Sequence, residues 1–240
     1  MASSVAPPPG YTPHIGETRQ YWRDIILGVN DGLVSMFLLV VGVVGGGFDR
    51  EEVLLTAVAG AIAGAISMAA GEYLATKSQD EVLKAELALE RSHIAEFREE
   101  ELAQLRGFFA DMGVEERHLP GVMAAFEDND EALLNAMGAL EFGVVDSERR
   151  SPFRAMAASG LLFLAGSLPS IVPFALIEAV RPALGVATAL SLGGLFVVGW
   201  VKATVARTPR IKSGLENLVV AGVGGFLAWG IGRMFGATVT

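Results

Sequence analysis

The sequence predicts an all-α integral membrane protein with five transmembrane helices and a three-helix cytoplasmic domain inserted between spans two and three. The mean hydropathy of the 240 residues is +0.46, which is too high for an ordinary soluble domain. The acidic residues are concentrated in one region, since residues 80–150 hold 18 Asp and Glu against 7 Lys and Arg. Two physically different parts therefore share one chain.

Five apolar segments are the predicted transmembrane helices, because a helix needs about 20 residues to cross a hydrocarbon core of about 30 Å. These segments are Ile25–Phe48, Val53–Tyr73, Phe153–Ile177, Ala183–Val201 and Leu215–Phe235. They divide the chain into a disordered N-terminus (1–18), spans one and two (19–76), the acidic helical domain (77–152) and spans three to five (153–240).

The orientation follows from the short connections that carry Lys and Arg, since these residues mark the cytoplasmic side. The basic residues beside the first, third, fourth and fifth spans are Arg19, Arg23, Arg149, Arg150, Arg154, Lys202, Arg207, Arg210 and Lys212. We therefore expect the N-terminus and the 77–152 domain to face the cytoplasm.

The acidic domain begins as a continuation of the second span. From Glu72 to Arg106 there is neither Gly nor Pro, so one helix can continue beyond the membrane and break at or ahead of Gly107, or earlier near Ser92. The three glutamates 99–101 begin another helical stretch.

Two further signals divide the rest of this domain. Leu119-Pro120-Gly121 predicts a turn, and Asn129 or Asp130 predicts the N-cap of a helix that runs through Phe142.

Carboxylates inside a span are costly and indicate function. Asp24 and Asp31 lie seven residues apart, which places them on one face of the first span, and Glu72 lies near the end of the second. Asp24 and Glu72 also fit solvated span ends, whereas Asp31 lies too deep for that interpretation.

The thioether of Met68 is predicted to lie at the depth of Asp31. Because spans one and two are antiparallel, Asp31 and Met68 both lie about 10 Å from the cytoplasmic end, and Gly60 and Gly64 allow close approach of helices. Carboxylates with a thioether favour softer transition ions such as Fe²⁺, Co²⁺, Ni²⁺ or Zn²⁺ over Mg²⁺ or Ca²⁺. Met68 alone equally fits packing or a lipid-facing position.

The acidic domain contains a second group of potential ligands. Glu90 and His93 have the Glu-x-x-His spacing of di-iron bundles, and Met137 lies one turn before Glu141. For each residue alone, a solvated acidic face or a core methionine is the competing interpretation. A second Glu-x-x-His copy, 115–118, lies next to Pro120, and we give it little weight.

Several classes of function find no support. The acidic balance disfavours nucleic acid as a partner. A chain without cysteine has no disulfide, thiolate cluster or thiol nucleophile, and the sequence has no GxSxG elbow, phosphate loop or dinucleotide fingerprint.

Four segments resemble signatures of the vacuolar iron transporter family, which includes yeast-type vacuolar carriers and nodulin-like relatives. They are RDIILGVNDGLVS (23–35), SMAAGEYLA (67–75), LPSIVPF (168–174) and SGLENL (213–218). The resemblance extends over residues 19–236, and its first two motifs are specific.

The resemblance implies a homodimer of five-span subunits that exports Fe²⁺ from the cytosol in exchange for protons, along a path at the dimer interface. By motif, that path is lined by Asp24, Asp31 and Met68, with Glu72 close to it. The ligands of the cytoplasmic domain then fall at Glu90, His93, Glu101, Gln104, Met137 and Glu141.

The chain departs from the family pattern at four positions. His93 and Gln104 stand where we expect carboxylates, Gly138 where we expect a second methionine, and Met36 where the family has proline. Imidazole also suits zinc and nickel. Mn²⁺, Co²⁺, Ni²⁺ and Zn²⁺ remain candidate ions beside Fe²⁺.

Two alternatives to a transporter stay open at this point: a membrane-anchored di-iron carboxylate oxidase and a metal-binding sensor. Gln104 in place of a carboxylate disfavours the oxidase, and Asp31 inside a span disfavours the sensor. A vacuolar membrane and a bacterial inner membrane would give the same sequence pattern.

Overall fold

The computed structural model of the protein describes residues 19–143 and 150–239, so the predicted disorder of residues 1–18 lies outside the described residues. Within this part the chain forms eight helices and no strand. The helices are α1 Arg19–Gly45, α2 Arg50–Glu96, α3 Arg98–Asp111, α4 Leu119–Met123, α5 Asp130–Leu140, α6 Pro152–Leu176, α7 Val180–Ala206 and α8 Arg210–Val239.

Five of these helices, α1, α2, α6, α7 and α8, are long and apolar enough to cross a membrane. This confirms the five predicted spans. The first span ends at the glycine run, where Gly47 adopts a φ of 87°, a backbone conformation that favours glycine.

The chain divides into two compact units, residues 1–73 with 153–240 and residues 74–152. We call them the membrane unit and the insert unit. In the membrane unit, α1 packs against α7 and α8. A buried cluster joins α1 and α2 to α6 and α7, and it consists of Met36, Val40, Val53, Ala57, Ala61, Ala65, Phe163, Phe174, Ala183 and Ala187.

Helices α1 and α6 approach at backbone distance through a pair of glycines. A Cβ on Gly32 would lie 2.2 Å from the Phe163 carbonyl oxygen, and a Cβ on Gly166 would lie 2.3 Å from the Val29 carbonyl oxygen. Only residues without a side chain fit this crossing, which is a common device for packing helices in lipid. The crossing holds α1, with its aspartates, directly against α6.

The first residue of α2 closes the end of α6. The Arg50 guanidinium donates hydrogen bonds to the carbonyl oxygens of Phe174 (2.8 Å), Ala175 (3.0 Å) and Ile177 (3.1 Å). The last carbonyls of a helix have no partner inside the helix and carry its negative dipole end, so a guanidinium satisfies both requirements.

In the insert unit the long helix α2 breaks at Phe97, ahead of Gly107 as predicted. Gly107 itself lies inside α3 and does not break the chain. The glutamates 99–101 occupy the first turn of α3, where negative charge is favourable, and Arg98 donates to the Glu127 carbonyl oxygen at 2.6 and 2.9 Å. These contacts stabilise a helix start at Arg98.

The rest of the insert unit corrects one prediction and confirms another. The predicted turn at residues 119–121 is wrong, because a short helix begins there with Pro120 in its first turn, where no backbone N–H is needed. Asn129 is the N-cap of α5 as predicted, and its side chain accepts a hydrogen bond from the Ala132 amide at 3.0 Å.

The core of this unit consists of Ile94, Leu105, Met123, Leu133, Leu134 and Met137.

Candidate metal sites

Asp31 and Met68, for which the antiparallel spans predict a common depth, line one cavity of the membrane unit. The cavity has a volume of about 410 Å³ and is formed by α1, α2 and α6. Its lining residues are Asp31, Ser35, Met36, Leu39, Gly60, Gly64, Ser67, Met68 and Phe163. A carboxylate, two hydroxyls and thioether sulfur are thus available to an ion within the span.

The hydroxyl of Ser35 donates a hydrogen bond of 3.0 Å to Oδ1 of Asp31. The two residues are one turn apart on α1, so their side chains lie on the same face. Sequence reasoning missed Ser35, although its position four residues after a carboxylate was a usable signal. This bond orients the carboxylate that lines the cavity.

The two glycines of α2 allow side chains from neighbouring helices to reach the cavity. A Cβ on Gly60 would lie 2.5 Å from Cδ2 of Leu39 on α1, and a Cβ on Gly64 would lie 2.4 Å from the Phe163 ring on α6. Any larger residue at either position would displace the lining of the cavity.

Asp24 and Glu72 do not line this cavity; they lie beside Arg23. One guanidinium nitrogen of Arg23 is 3.6 Å from the Asp24 carboxylate and 3.8 Å from the Glu72 carboxylate. Asp24 is buried whereas Arg23 is mostly exposed. Sequence reasoning used Arg23 only for orientation, and the structure makes it the shared counter-charge of two predicted path residues.

In the insert unit, Glu90, His93 and Glu101 form the one described group of three or more carboxylate and imidazole side chains whose ligand atoms all lie within 4.8 Å. Nδ1 of His93 is 4.0 Å from Glu90 Oε2 and 3.5 Å from Glu101 Oε1. The break at Phe97 creates this cluster, because it turns the first turn of α3 back onto the last turns of α2.

The two carboxylates of the cluster are incompletely satisfied. Oε1 of Glu90 and Oε2 of Glu101 are buried and have no hydrogen-bond partner among the residues that the structure describes. Burial, followed by the nearby charges of Glu101 and Glu141, raises the pKa of Glu90 to about 7. A divalent cation would neutralise these charges and use the open oxygens, which are suitable metal ligands.

The other three predicted ligands of the insert unit remain predictions. Glu141 follows α5 as its C-cap and is close enough for its charge to act on Glu90. Met137 is fully buried in the core of the unit, and Gln104 is exposed on α3. His118 of the second Glu-x-x-His copy accepts a hydrogen bond from Arg117 at 3.1 Å.

The donor sets define a class of protein: a five-span helical membrane protein with one group of potential metal ligands in its membrane unit and another in its insert unit. The described cluster holds two carboxylates and one histidine, fewer than the four carboxylates and two histidines of a di-iron oxidase site.

The chain belongs to the VIT family, whose family model matches residues 22–233. It is 30% identical over 214 residues to vacuolar iron transporter 1 of Eucalyptus grandis, covering 88% of this chain and 85% of the relative. It is 29% identical over 215 residues to vacuolar iron transporter 1 of Arabidopsis thaliana, with the same coverage. The VIT-like transporter 1a of Glycine max is 31% identical over 194 residues, or 80% of this chain and 74% of that protein. The resemblance seen in the sequence is thereby confirmed.

Proposed function

We propose that this protein transports divalent transition-metal ions, Fe²⁺ above all, out of the cytosol in exchange for protons. The observation that carries the proposal is the membrane-unit cavity, in which the carboxylate of Asp31 and the thioether of Met68 line the same space. A carboxylate in a span is retained at a cost, which an ion path explains. The mixed oxygen and sulfur donors favour Fe²⁺ and its neighbours over Mg²⁺ and Ca²⁺.

Proton exchange follows from the chemistry of one carboxylate. Asp31 is the one ionisable side chain among the described residues that line the cavity. A carboxylate must be deprotonated before it ligates a cation, so metal entry releases a proton and metal departure allows one to bind. The metal ion and the proton compete for the Asp31 carboxylate, which is the minimal requirement for an exchanger.

The insert unit captures metal in this proposal. Its clustered carboxylates attract cations over about a Debye length, and Glu90, His93 and Glu101 supply inner-sphere ligands. Gln104, Met137 and Glu141 complete the set that we propose. The nitrogen of His93 also suits Ni²⁺ and Zn²⁺, the carboxylates suit Mn²⁺, and Co²⁺ is a further candidate ion.

We further propose that the protein is a homodimer whose N-terminus and insert unit face the cytoplasm. The basic connections of spans one, three, four and five support the orientation. In that arrangement the metal leaves the cytosol for a vacuolar lumen or for the space outside a bacterial inner membrane.

Transport into sealed proteoliposomes containing the full-length protein tests the function. With Fe²⁺ kept reduced outside, an acidic interior should accelerate uptake, and the interior should lose protons as metal enters. An alkaline interior is the matched control and should slow uptake. Metal uptake that is indifferent to the pH gradient would leave a uniporter, and the absence of uptake for Fe²⁺, Mn²⁺, Co²⁺, Ni²⁺ and Zn²⁺ would favour a sensor.

A further inference from the structure

Met36 lines the same cavity as Asp31 and Met68, although its position on α1 suggests only packing. Its side chain is 2% exposed and belongs to the buried cluster of α1, α2, α6 and α7. The sulfur lies at the seam with α2, because a Cβ built on Gly60 would be 3.8 Å from Met36 Sδ and 3.6 Å from Cε. Gly60 itself lines the cavity.

The depth of Met36 differs from that of the other donors. It follows Asp31 by five residues on α1, a helical rise of about 7.5 Å away from the cytoplasmic end in the proposed orientation. Met68 belongs to the level of Asp31. Met36 is therefore placed to contact an ion after it has left the Asp31 level rather than to share one shell with Met68.

At this deeper position Met36 offers the one soft donor among the residues that line the cavity. Near this depth Ser35 offers a hydroxyl, which is a hard donor already bonded to Asp31, and Leu39 and Phe163 offer no ligand. A thioether is a weak ligand for hard ions such as Mn²⁺ and a better one for soft ions such as Cd²⁺. A leucine would fill nearly the same volume without any ligand.

We infer that Met36 is a specificity-determining residue: it gives the path a second thioether contact beyond Asp31 and Met68, which favours the passage of soft cations. The inference rests on the proposed transport function of this cavity. It predicts an effect on the rate of ion passage rather than on the first binding step, which Asp31 and Met68 set.

Initial uptake rates of Cd²⁺ and Mn²⁺ in proteoliposomes test this inference with full-length wild type, Met36→Leu, Met68→Leu and the exposed α8 control Met234→Leu. In Met36→Leu the maximal Cd²⁺ rate should fall about three- to tenfold more than the Mn²⁺ rate, with the KM for Cd²⁺ little changed. Met68→Leu should raise that KM. An equal loss for both ions, or no loss, would show that Met36 only packs.

A binding measurement separates failure of the inference from failure of the proposed function. In the full-length protein labelled at the methionine ε-methyl carbons, diamagnetic Cd²⁺ should shift the NMR signals of both Met36 and Met68 saturably. Shifts without transport of either ion would overturn the transport proposal and keep the second contact. Transport with a Met36 signal that never moves would keep the function and overturn the contact.

Discussion

The carboxylates of the two units differ in how well the protein itself satisfies them. In the membrane unit, Asp31 accepts a hydrogen bond from Ser35, and Asp24 lies beside the Arg23 guanidinium. In the insert unit, Glu90 and Glu101 each keep a buried oxygen without a hydrogen-bond partner among the described residues. The two carboxylates of the membrane unit thus have a donor or a counter-charge within the protein, whereas each of the two insert-unit carboxylates keeps one open oxygen.

This difference fits two distinct tasks. A transport site must release its ion, and a hydroxyl or guanidinium that partly replaces the ion lowers the free-energy cost of the empty state. A capture site gains affinity from leaving its carboxylates unsatisfied, because the cation then removes a repulsion that the protein otherwise bears. The predictions below test this contrast, from the largest expected effect to the smallest.

Asp31→Asn should have the largest effect on transport. It keeps the size and the bond from Ser35 but removes the charge and the proton, so metal uptake in proteoliposomes should fall by about 100-fold or more. Asp49→Asn, an acidic residue near the start of α2 and outside the cavity, is the control. Near wild-type uptake by a folded Asp31→Asn protein would show that the cavity is not the path.

Glu90→Gln combined with Glu101→Gln should weaken the tightest metal binding of the full-length protein in detergent by about 10- to 100-fold in affinity. Calorimetry with Zn²⁺ at low and physiological salt measures it. The variant Glu99→Gln/Glu100→Gln removes the same charge from exposed positions of α3 and should weaken binding only at low salt. If both variants lose affinity equally, the insert unit attracts cations by net charge alone.

Glu90→Gln alone should stabilise the metal-free insert unit at pH 8. The pKa of Glu90 rises from 4.5 to about 7 on folding, so the folded state binds more protons than the unfolded state between these values. The contribution of the protonated Glu90 carboxyl to the stability of the folded state is fully present below pH 4.5 and is lost as the pH rises through about 7.

Hydrogen exchange of amides in α3 and α5, measured at both pH 5 and pH 8 in the metal-free full-length protein, detects this effect. Wild type should lose on the order of 1–3 kcal/mol of opening free energy between the two pH values, and Glu90→Gln should lose less. Equal pH dependence in both proteins would show that burial of Glu90 carries no such penalty.

Arg23→Gln should have the smallest effect. The guanidinium is mostly exposed, and exposed ion pairs contribute little, so the KM for metal should fall only about twofold as a competing cation leaves Asp24 and Glu72. Uptake rates at several metal concentrations measure the change. A rise in KM would instead assign Arg23 a structural role near the start of α1.

The fold was largely predictable because lipid imposes strong constraints on sequence. Span length, the glycines at 45–47 and the Asn129 cap each have a direct physical signature. The break at Phe97 has none, since neither glycine nor proline marks it. Its position depends on the contacts that Arg98 makes with the carbonyl of Glu127, 29 residues away, and single-sequence patterns do not reveal such pairs.

The sites were predictable to the extent that they follow helical spacing. The spacing of Asp31 and Met68 from their span ends was enough to predict one shared depth, and the structure places both at one cavity. The meeting of Glu101 with Glu90 and His93 requires the break at Phe97, so only the resemblance to a family indicated it. Met36 was noted solely as a departure from a proline, because its distance to Gly60 depends on how α1 and α2 pack.

The hydrogen bonds of Arg50 carry a consequence for biogenesis. Its partner carbonyl at Phe174 lies 124 residues further along the chain, beyond the whole insert unit. The ribosome synthesises α1 and the start of α2 first. The Arg50 guanidinium therefore lacks its α6 partners while the insert unit is synthesised and can fold. Only the arrival of α6 completes its bonding. The order of synthesis therefore allows the insert unit to fold before the packing of the membrane unit is complete.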